Sequence, residues 1–273
     1  MAALIDTHNH IDASVFDADR ELLIREAKEA GVIDALVCSG IPGTWEKTRI
    51  IAHQAGWHYA LGVHPLYIGD VDNPDALLEE LKVCIETLLT DELFAGIGEI
   101  GLDGFVSGLP PEKMLKIFRG QLKIAARFHL PVSVHARHCV DTVSREIARI
   151  EPTGGVVHAF NGSLEQAKRL LGLGMKLGFG GALTYTGSRR IRRIFAQLSD
   201  TDFVLETDAP DMPGTLRRTL PDKRTHVSDI TQVLECASEL RGTDTETLAK
   251  IAMCNAYAAF PRMHSEKAAP AIP

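Results

Sequence analysis

The chain has few cysteines, and none of them is arranged to hold a fold together. Five occur among 273 residues, without any Cys-x-x-Cys spacing. This pattern argues against a zinc ribbon and against a disulfide framework. We therefore expect the cysteines to be small core residues of a protein in a reducing compartment.

Long apolar runs are also missing. No segment approaches the roughly 18 uninterrupted apolar residues of a membrane span, and the first residues lack the charged start and apolar stretch of a signal peptide. We therefore expect no contact with a membrane and a cytoplasmic location.

Positive charge is in deficit, since 29 Lys and Arg face 36 Asp and Glu for a net charge of −7. No overall positive field should therefore attract nucleic acid. The basic run Arg189–Arg193 is interrupted by Ile191 and followed by Ile194 and Phe195, which fits the solvated face of an amphipathic helix better than a binding patch. Any attraction for phosphate must then be local, from metal ions or a few arginines.

The composition that remains is typical of a globular protein, with 45% hydrophobic and 24% charged residues. Short apolar runs predict strands near Ala3–Thr7, Ala35–Cys38, His58–Val63, Phe94–Glu99, Val132–His135, Gly155–His158, Lys176–Phe179 and Phe203–Thr207. Helical periodicity predicts helices near Ala18–Ala30, Trp45–Ala55, Asp75–Leu89, Glu112–His129, Leu164–Leu171, Arg189–Leu198, Val227–Leu240 and Asp244–Phe260.

This alternation indicates an α/β protein, and eight strands favour a closed (β/α)8 TIM barrel over a doubly wound open sheet. No linker divides the chain. We predict one barrel domain over residues 1–262 and a frayed C-terminal tail over residues 263–273.

The first predicted strand runs directly into Asp6-Thr7-His8-Asn9-His10. Residues two apart on a strand project from one face, so His8 and His10 should point together. Two converging imidazoles form half of a metal site. The alternative is a pair of histidines in a mobile N-terminus.

Further potential ligands stand where other predicted strands end: His64, Glu99, His135, His158 and Asp208. Active sites of (β/α)8 barrels are built at that face from several strands. A single histidine at such a position can also cap a backbone carbonyl, but the repetition of ligand types at several strand ends favours a site.

Four of the histidines together with Glu99 and Asp208 exceed the three protein ligands of a typical catalytic zinc ion. We therefore predict two divalent ions. Mixed nitrogen and oxygen ligands suit Zn, Mn, Fe or Ni, and a site with several waters also accepts Mg.

Four motifs resemble the TatD family of metal-dependent deoxyribonucleases, within the amidohydrolase-like barrels: Ile5-Asp6-Thr7-His8-Asn9-His10, Gly98-Glu99-Ile100-Gly101-Leu102-Asp103, Pro131-Val132-Ser133-Val134-His135-Ala136-Arg137 and Glu206-Thr207-Asp208-Ala209-Pro210. Within that family, Gly178–Gly181, Thr184-Tyr185 and Ala209–Pro213 are most similar to the YjjV-like branch. The resemblance extends from the first strand to Asn255.

The resemblance implies two metal positions that share one carboxylate. One position would be held by His8, His10, Glu99 and Asp208, and the other by Glu99, His135 and His158. The chain departs from the family pattern at Asn161, at Gly104-Phe105 and at Pro221–Arg224. These departures concern substrate contacts rather than metal chemistry.

Three residues beside the expected ligands are candidates for substrate contacts. His64 would donate a hydrogen bond to a phosphate oxygen, or simply pack. Asp103, expected in the loop after the fourth strand, would hold a ligand in place or cap a turn. Arg137 would direct its guanidinium at a substrate phosphate, or pair with a carboxylate.

The leading hypothesis is a two-metal deoxyribonuclease that trims single strands or ends of DNA. A metal-activated water would attack phosphorus, with Glu99 bridging the ions and Asp208 receiving the proton. The alternative is hydrolysis of a small ester, amide or lactone, because the same metals polarise a carbonyl. A binding or scaffold protein would have lost ligands, whereas all six are present. No obligate protein partner is evident, and we expect a monomer or weak homo-oligomer.

Overall fold

A computed structural model describes residues 2–264, which form eight parallel strands in sequential order around a barrel. The strands are β1 Leu4–Asn9, β2 Val32–Ser39, β3 His58–Leu61, β4 Phe94–Asp103, β5 Val132–Arg137, β6 Gly155–Val157, β7 Met175–Phe179 and β8 Phe203–Leu205. The helices are α1 Arg20–Glu29, α2 Trp45–Ala55, α3 Pro74–Leu88, α4 Pro111–Arg127, α5 Val140–Ile150, α6 Leu164–Gly172, α7 Arg189–Gln197, α8 Ile230–Arg241 and α9 Thr245–Ala259. The prediction of a single-domain (β/α)8 barrel is confirmed.

Besides shifts of a few residues at other element ends, one helix and one strand differ from the prediction. Helix α5 was not predicted, although its buried Val143 and Ile147 stand four residues apart on one face. Strand β4 continues to Asp103, because Leu102 and Asp103 still pair with β5. The placement of Asp103 in a loop was therefore wrong, since the glycines of this segment hide the alternation of a strand.

The arginine run lies on α7 as predicted. Ile191, Ile194 and Phe195 are buried against the core, while the four arginines are exposed or half-buried. Within residues 2–264, no helix has the length and apolarity to cross a bilayer.

The amino end of the barrel is plugged by apolar side chains. Phe260 and Met263 pack with Ile5 and Val204 of the strands, and Met263 belongs to a short 3-10 helix, Pro261–Met263. The predicted tail begins at residue 263, but Met263 is part of this plug, and residues 265–273 lie outside the described part of the chain. With this end filled, the carboxyl ends of the strands form the open face of the barrel.

Side chains join the first and last strands. Thr7 Oγ1 donates a hydrogen bond to the Leu205 carbonyl over 3.0 Å, and Thr207 Oγ1 donates to Asp6 Oδ2 over 2.6 Å. The backbone N–H of Asp208 donates to the His8 carbonyl over 2.9 Å. These bonds form a seam between β1 and β8 and place Asp208 beside His8.

Candidate metal centre

The carboxyl ends of the strands bring the predicted ligands together in the mouth of the barrel. His8 is in β1 and His10 just beyond it, Glu99 is in β4, His135 is in β5, and His158 and Asp208 follow β6 and β8. His8, Glu99, His158 and Asp208 are buried. The side chains of His10, His135 and Asp208 keep the largest exposed fractions of the set, 20%, 16% and 12%, so they lie on the side of the cluster that opens to solvent.

Glu99 lies at the centre of this cluster. Its Oε1 is 2.7 Å from His158 Nε2 and 3.1 Å from His135 Nδ1. Its Oε2 is 3.2 Å from His10 Nε2 and 3.5 Å from His8 Nε2. Each oxygen of one carboxylate therefore faces a different pair of the histidines predicted as ligands.

Asp208 completes the pair that includes His8 and His10. Its Oδ1 lies 3.4 Å from His10 Nε2 and 3.7 Å from His8 Nε2. Its backbone is in the left-handed region at φ 62°, which aspartate and asparagine tolerate better than most residues. Burial alone would raise the pKa of Asp208, but the hydrogen bond with His10 and the nearby imidazoles hold it below the usual value.

The outer nitrogens of His10 and His135 have partners that leave their inner nitrogens free. His10 Nδ1 lies 2.6 Å from the Cys38 carbonyl, which can only accept, so the lone pair of the neutral ring is at Nε2. His135 Nε2 is likewise 3.0 Å from Asp103 Oδ2, and its Nδ1 faces Glu99. Such outer hydrogen bonds are typical of metal-binding histidines.

The donor set fits divalent ions. Three groups have ligand atoms within 4.8 Å of one another: His8 with His158 and Asp208, His8 with His10 and Glu99, and His64 with Glu99 and His135. Lone pairs of imidazoles and carboxylates that converge in a buried space repel one another unless a cation lies between them. The mixture of nitrogen and oxygen donors suits zinc-like metals.

The buried charges of this cluster shift the pKa values of its members. Burial opposes a charge on His10, but the hydrogen bonds and charges of Asp208 and Glu99 outweigh it and hold the pKa of His10 well above its usual value. Burial would raise the pKa of Glu99, yet the surrounding imidazoles hold it well below its usual value. The cluster therefore attracts positive charge.

His64 lies beside the cluster with a different hydrogen-bond pattern. The backbone N–H of Leu66 donates to His64 Nδ1 over 3.2 Å, so the neutral ring carries its hydrogen on Nε2. That nitrogen is 3.3 Å from Glu99 Oε1. Proximity groups His64 with possible ligands, but this pattern favours a donor to Glu99.

Sequence reasoning missed Glu206, which is fully buried behind His158. Its Oε1 accepts from the Ala159 N–H over 2.5 Å and lies 3.9 Å from His158 Nδ1. Among the described residues, neither Glu206 Oε2 nor His158 Nδ1 has a hydrogen-bond partner. Burial raises the pKa of Glu206 to about 8. Its position two residues before Asp208 was the available signal, because alternate residues share a face.

Space for the Glu206 carboxyl depends on Gly178 in β7. A Cβ at Gly178 would collide with that carboxyl group. We expect Gly178→Ala to lower the free energy of unfolding by about 1–3 kcal/mol, because an overpacked core cannot relax freely. Denaturant unfolding measures this change.

Gly172→Ala is the matched control, since nothing lies within 4 Å of a Cβ at that helical position. It should leave stability unchanged or raise it by up to about 1 kcal/mol. Equal effects of the two substitutions would contradict the assigned packing.

Arg137 and Asp103 border the cluster. The Arg137 guanidinium lies 3.7 Å from the centre of the Phe105 ring. Asp103 contacts His135 on one side and accepts hydrogen bonds from the backbone of the following loop on the other. The structure thus places both residues at the edge of the candidate centre, on β4 and β5.

The chain is similar to known proteins along most of its length. The family described as TatD related DNase matches residues 5–261. The uncharacterized metal-dependent hydrolase YjjV of Escherichia coli K12 is 34% identical over 258 residues, covering 94% of this chain and 97% of that protein. The crystal structure of YjjV from Escherichia coli K12 superimposes with a TM-score of 0.87 at 33% identity, covering 94% of this chain and 98% of that one.

A more distant relative carries a specific activity in its name. The 3'-5' ssDNA/RNA exonuclease TatD of Erwinia billingiae is 26% identical over 265 residues, covering 94% of this chain and 98% of that protein. The family match spans nearly the whole described barrel, and the similarity to YjjV exceeds 30% identity over most of both chains. The chain therefore belongs to the TatD related DNase family of metal-dependent hydrolases.

Proposed function

We propose that this hydrolase is a deoxyribonuclease that cleaves phosphodiester bonds with two divalent ions of the Zn, Mg or Mn type. The observation that carries the proposal is the division of the Glu99 oxygens between two pairs of imidazoles. The ions would be held by His8, His10, Glu99, His135, His158 and Asp208. When bound, they would act as Lewis acids on the phosphate and lower the pKa of a water molecule.

The chain's own residues would orient the reactants. Asp208 is partly open to the mouth of the barrel and, with its lowered pKa, is ionised at neutral pH. We propose that it orients the attacking water and receives its proton at Oδ1. Glu99 would hold the two halves of the centre at a fixed separation.

DNA is the proposed substrate for two reasons. A relative that matches nearly the full chain is named as a single-stranded DNA and RNA exonuclease. The carboxylates of the mouth would repel a phosphodiester unless bound cations compensate them, which links this substrate to metal binding.

All five cysteines are unpaired in the described residues, so we also propose the cytoplasm as the compartment.

The test is a metal-reconstituted assay of one preparation against single-stranded DNA, RNA and a panel of carboxyl and phosphate esters. We expect DNA to be cleaved and cleavage to be lost after chelation. If the loaded protein leaves DNA intact and rapidly hydrolyses a neutral ester, amide or lactone, the small-substrate alternative replaces this proposal.

Replacing Arg137 should separate the two chemistries. Hydrogen bonds to ionised groups contribute about 1.5–3 kcal/mol, so Arg137→Ala should slow DNA cleavage by about tenfold or more. Hydrolysis of a neutral ester should change far less. Initial rates on both substrates measure the difference.

Arg193→Ala is the control for net charge, because Arg193 is an exposed arginine on α7. Since the chain carries a net charge of −7, long-range attraction should be weak, and this variant should cleave DNA at the wild-type rate. Normal DNA cleavage by Arg137→Ala would remove Arg137 from substrate binding.

A further inference from the structure

We propose that the exposed ring of Phe105, backed by the Arg137 guanidinium, is a stacking platform for one base of single-stranded nucleic acid. This inference rests on the proposed function, because the base would neighbour the phosphate at the metal centre. It assigns a ligand class to Phe105, one of the positions where the chain departs from the family pattern.

The Phe105 ring is largely exposed to solvent, although two side chains pack against it. The ring is 56% exposed, although the Arg137 guanidinium lies 3.7 Å from its centre and the His138 ring approaches edge-on at 5.3 Å. A guanidinium stacked on an aromatic ring fixes the ring and adds positive charge beside it. The result is a flat, cation-backed surface open to solvent.

The loop that carries Phe105 is tied to the candidate metal centre. Asp103 Oδ1 accepts hydrogen bonds from the N–H groups of Phe105 and Val106 over 2.8 and 2.9 Å. The other oxygen of the same carboxylate lies 3.0 Å from His135 Nε2. One side chain therefore holds both the aromatic loop and a proposed metal ligand.

Strand geometry places the platform next to the reacting phosphate. Arg137 is two residues beyond His135 on the same face of β5, which at the usual rise is roughly 7 Å further toward the mouth. The Gly104 N–H also donates to the Arg137 carbonyl over 2.7 Å, so the loop follows the end of β5. A phosphate at the metals would have its neighbouring base within reach of the Phe105 platform.

The chemistry of Phe105 and Arg137 favours a nucleic-acid base over an aliphatic chain as the ligand of the platform. A planar base can stack on Phe105 while the guanidinium edge of Arg137 donates to its phosphate. With a net charge of −7, the chain gains little from long-range attraction, so stacking would supply the affinity. Bases in a duplex are already stacked and paired, so they are not free to stack on Phe105. The platform would therefore prefer single strands.

Binding of phosphorothioate strands, which resist hydrolysis, tests the platform with metal-loaded protein. One strand carries natural bases, the second has the same length and is abasic, and the third probe is a duplex. We expect Phe105→Ala to weaken binding of the base-bearing strand at least about fivefold, since each stacked base contributes substantially. The abasic strand and the duplex should bind as they do to the wild type.

Two variants control for damage to the loop. Phe105→Trp keeps a planar ring and should bind the base-bearing strand as the wild type does. Val106→Ala shortens an exposed apolar neighbour that has no ring for a base to stack on and should also match the wild type. On cleavable DNA, Phe105→Ala should raise KM and leave kcat nearly unchanged.

The platform is overturned if Phe105→Ala binds the base-bearing strand normally, or if it weakens the base-bearing and abasic strands equally. A wild type that binds both strands alike also overturns it. If binding depends on Phe105 but no strand is cut, the platform stands and the deoxyribonuclease proposal fails. If DNA is cut and Phe105→Ala is indistinguishable from the wild type, the deoxyribonuclease proposal stands and the platform fails.

Discussion

Glu99→Ala is expected to empty both metal positions and to reduce turnover by about 10³-fold or more. The two oxygens of Glu99 face different pairs of imidazoles, so one substitution removes a donor from each. Metal ions supply several kcal/mol of transition-state stabilisation in hydrolases, and about 1.4 kcal/mol corresponds to tenfold in rate. Elemental analysis of the purified variant, compared with up to two ions per wild-type chain, measures the first effect.

Glu146→Gln provides a matched control, because Glu146 is a buried glutamate on α5 that pairs with Arg119 over 2.7 Å, away from the centre. It removes the same charge and should retain its metal. Full occupancy in Glu99→Ala would rule out the bridging role. Loss at one position only would assign Glu99 to that position alone.

Asp208→Asn is expected to lower turnover by at least about 10²-fold, the usual scale for losing a general base. Asparagine keeps the shape of the side chain and tolerates the left-handed backbone at φ 62°, so the variant should fold. It removes the group proposed to accept the proton. The rate should be measured at saturating metal, with the metal content determined on the same sample.

Asp211→Asn is the comparison for Asp208. Asp211 lies in the same loop, with its N–H donating to the Asp208 carbonyl over 2.7 Å, and its substitution removes an equal charge. Its effect should stay below about tenfold. Asp208→Asn with unchanged metal content and near-wild-type turnover would exclude Asp208 from proton transfer.

The sequence predicted the barrel and the positions of its strand ends because apolar runs and the side chains that follow them are local signals. His8 and His10 were recognised together because they stand two apart on one strand, as β1 confirms. Their convergence with Glu99 follows from the topology, since parallel strands of a closed barrel end at one face.

Contacts between side chains were harder to predict from the sequence. The donation by Leu66 to His64 is set by the turn after β3, and no spacing in the sequence encodes the tautomer. The contact of Arg137 with Phe105 joins the end of β5 to the loop after β4, 32 residues apart. Glu206 was overlooked because its burial depends on the absence of a side chain at Gly178 on the neighbouring strand.

The seam between β1 and β8 governs when the proposed metal site can assemble during synthesis. Asp6 and Thr207 meet across 201 residues of chain, so the strand that leaves the ribosome first must wait for the one that leaves nearly last. Closing so large a loop costs entropy before any contact compensates it. A nascent or truncated chain therefore carries His8 and His10 without Asp208, and acquisition of the full complement of metal would mark a completely folded molecule.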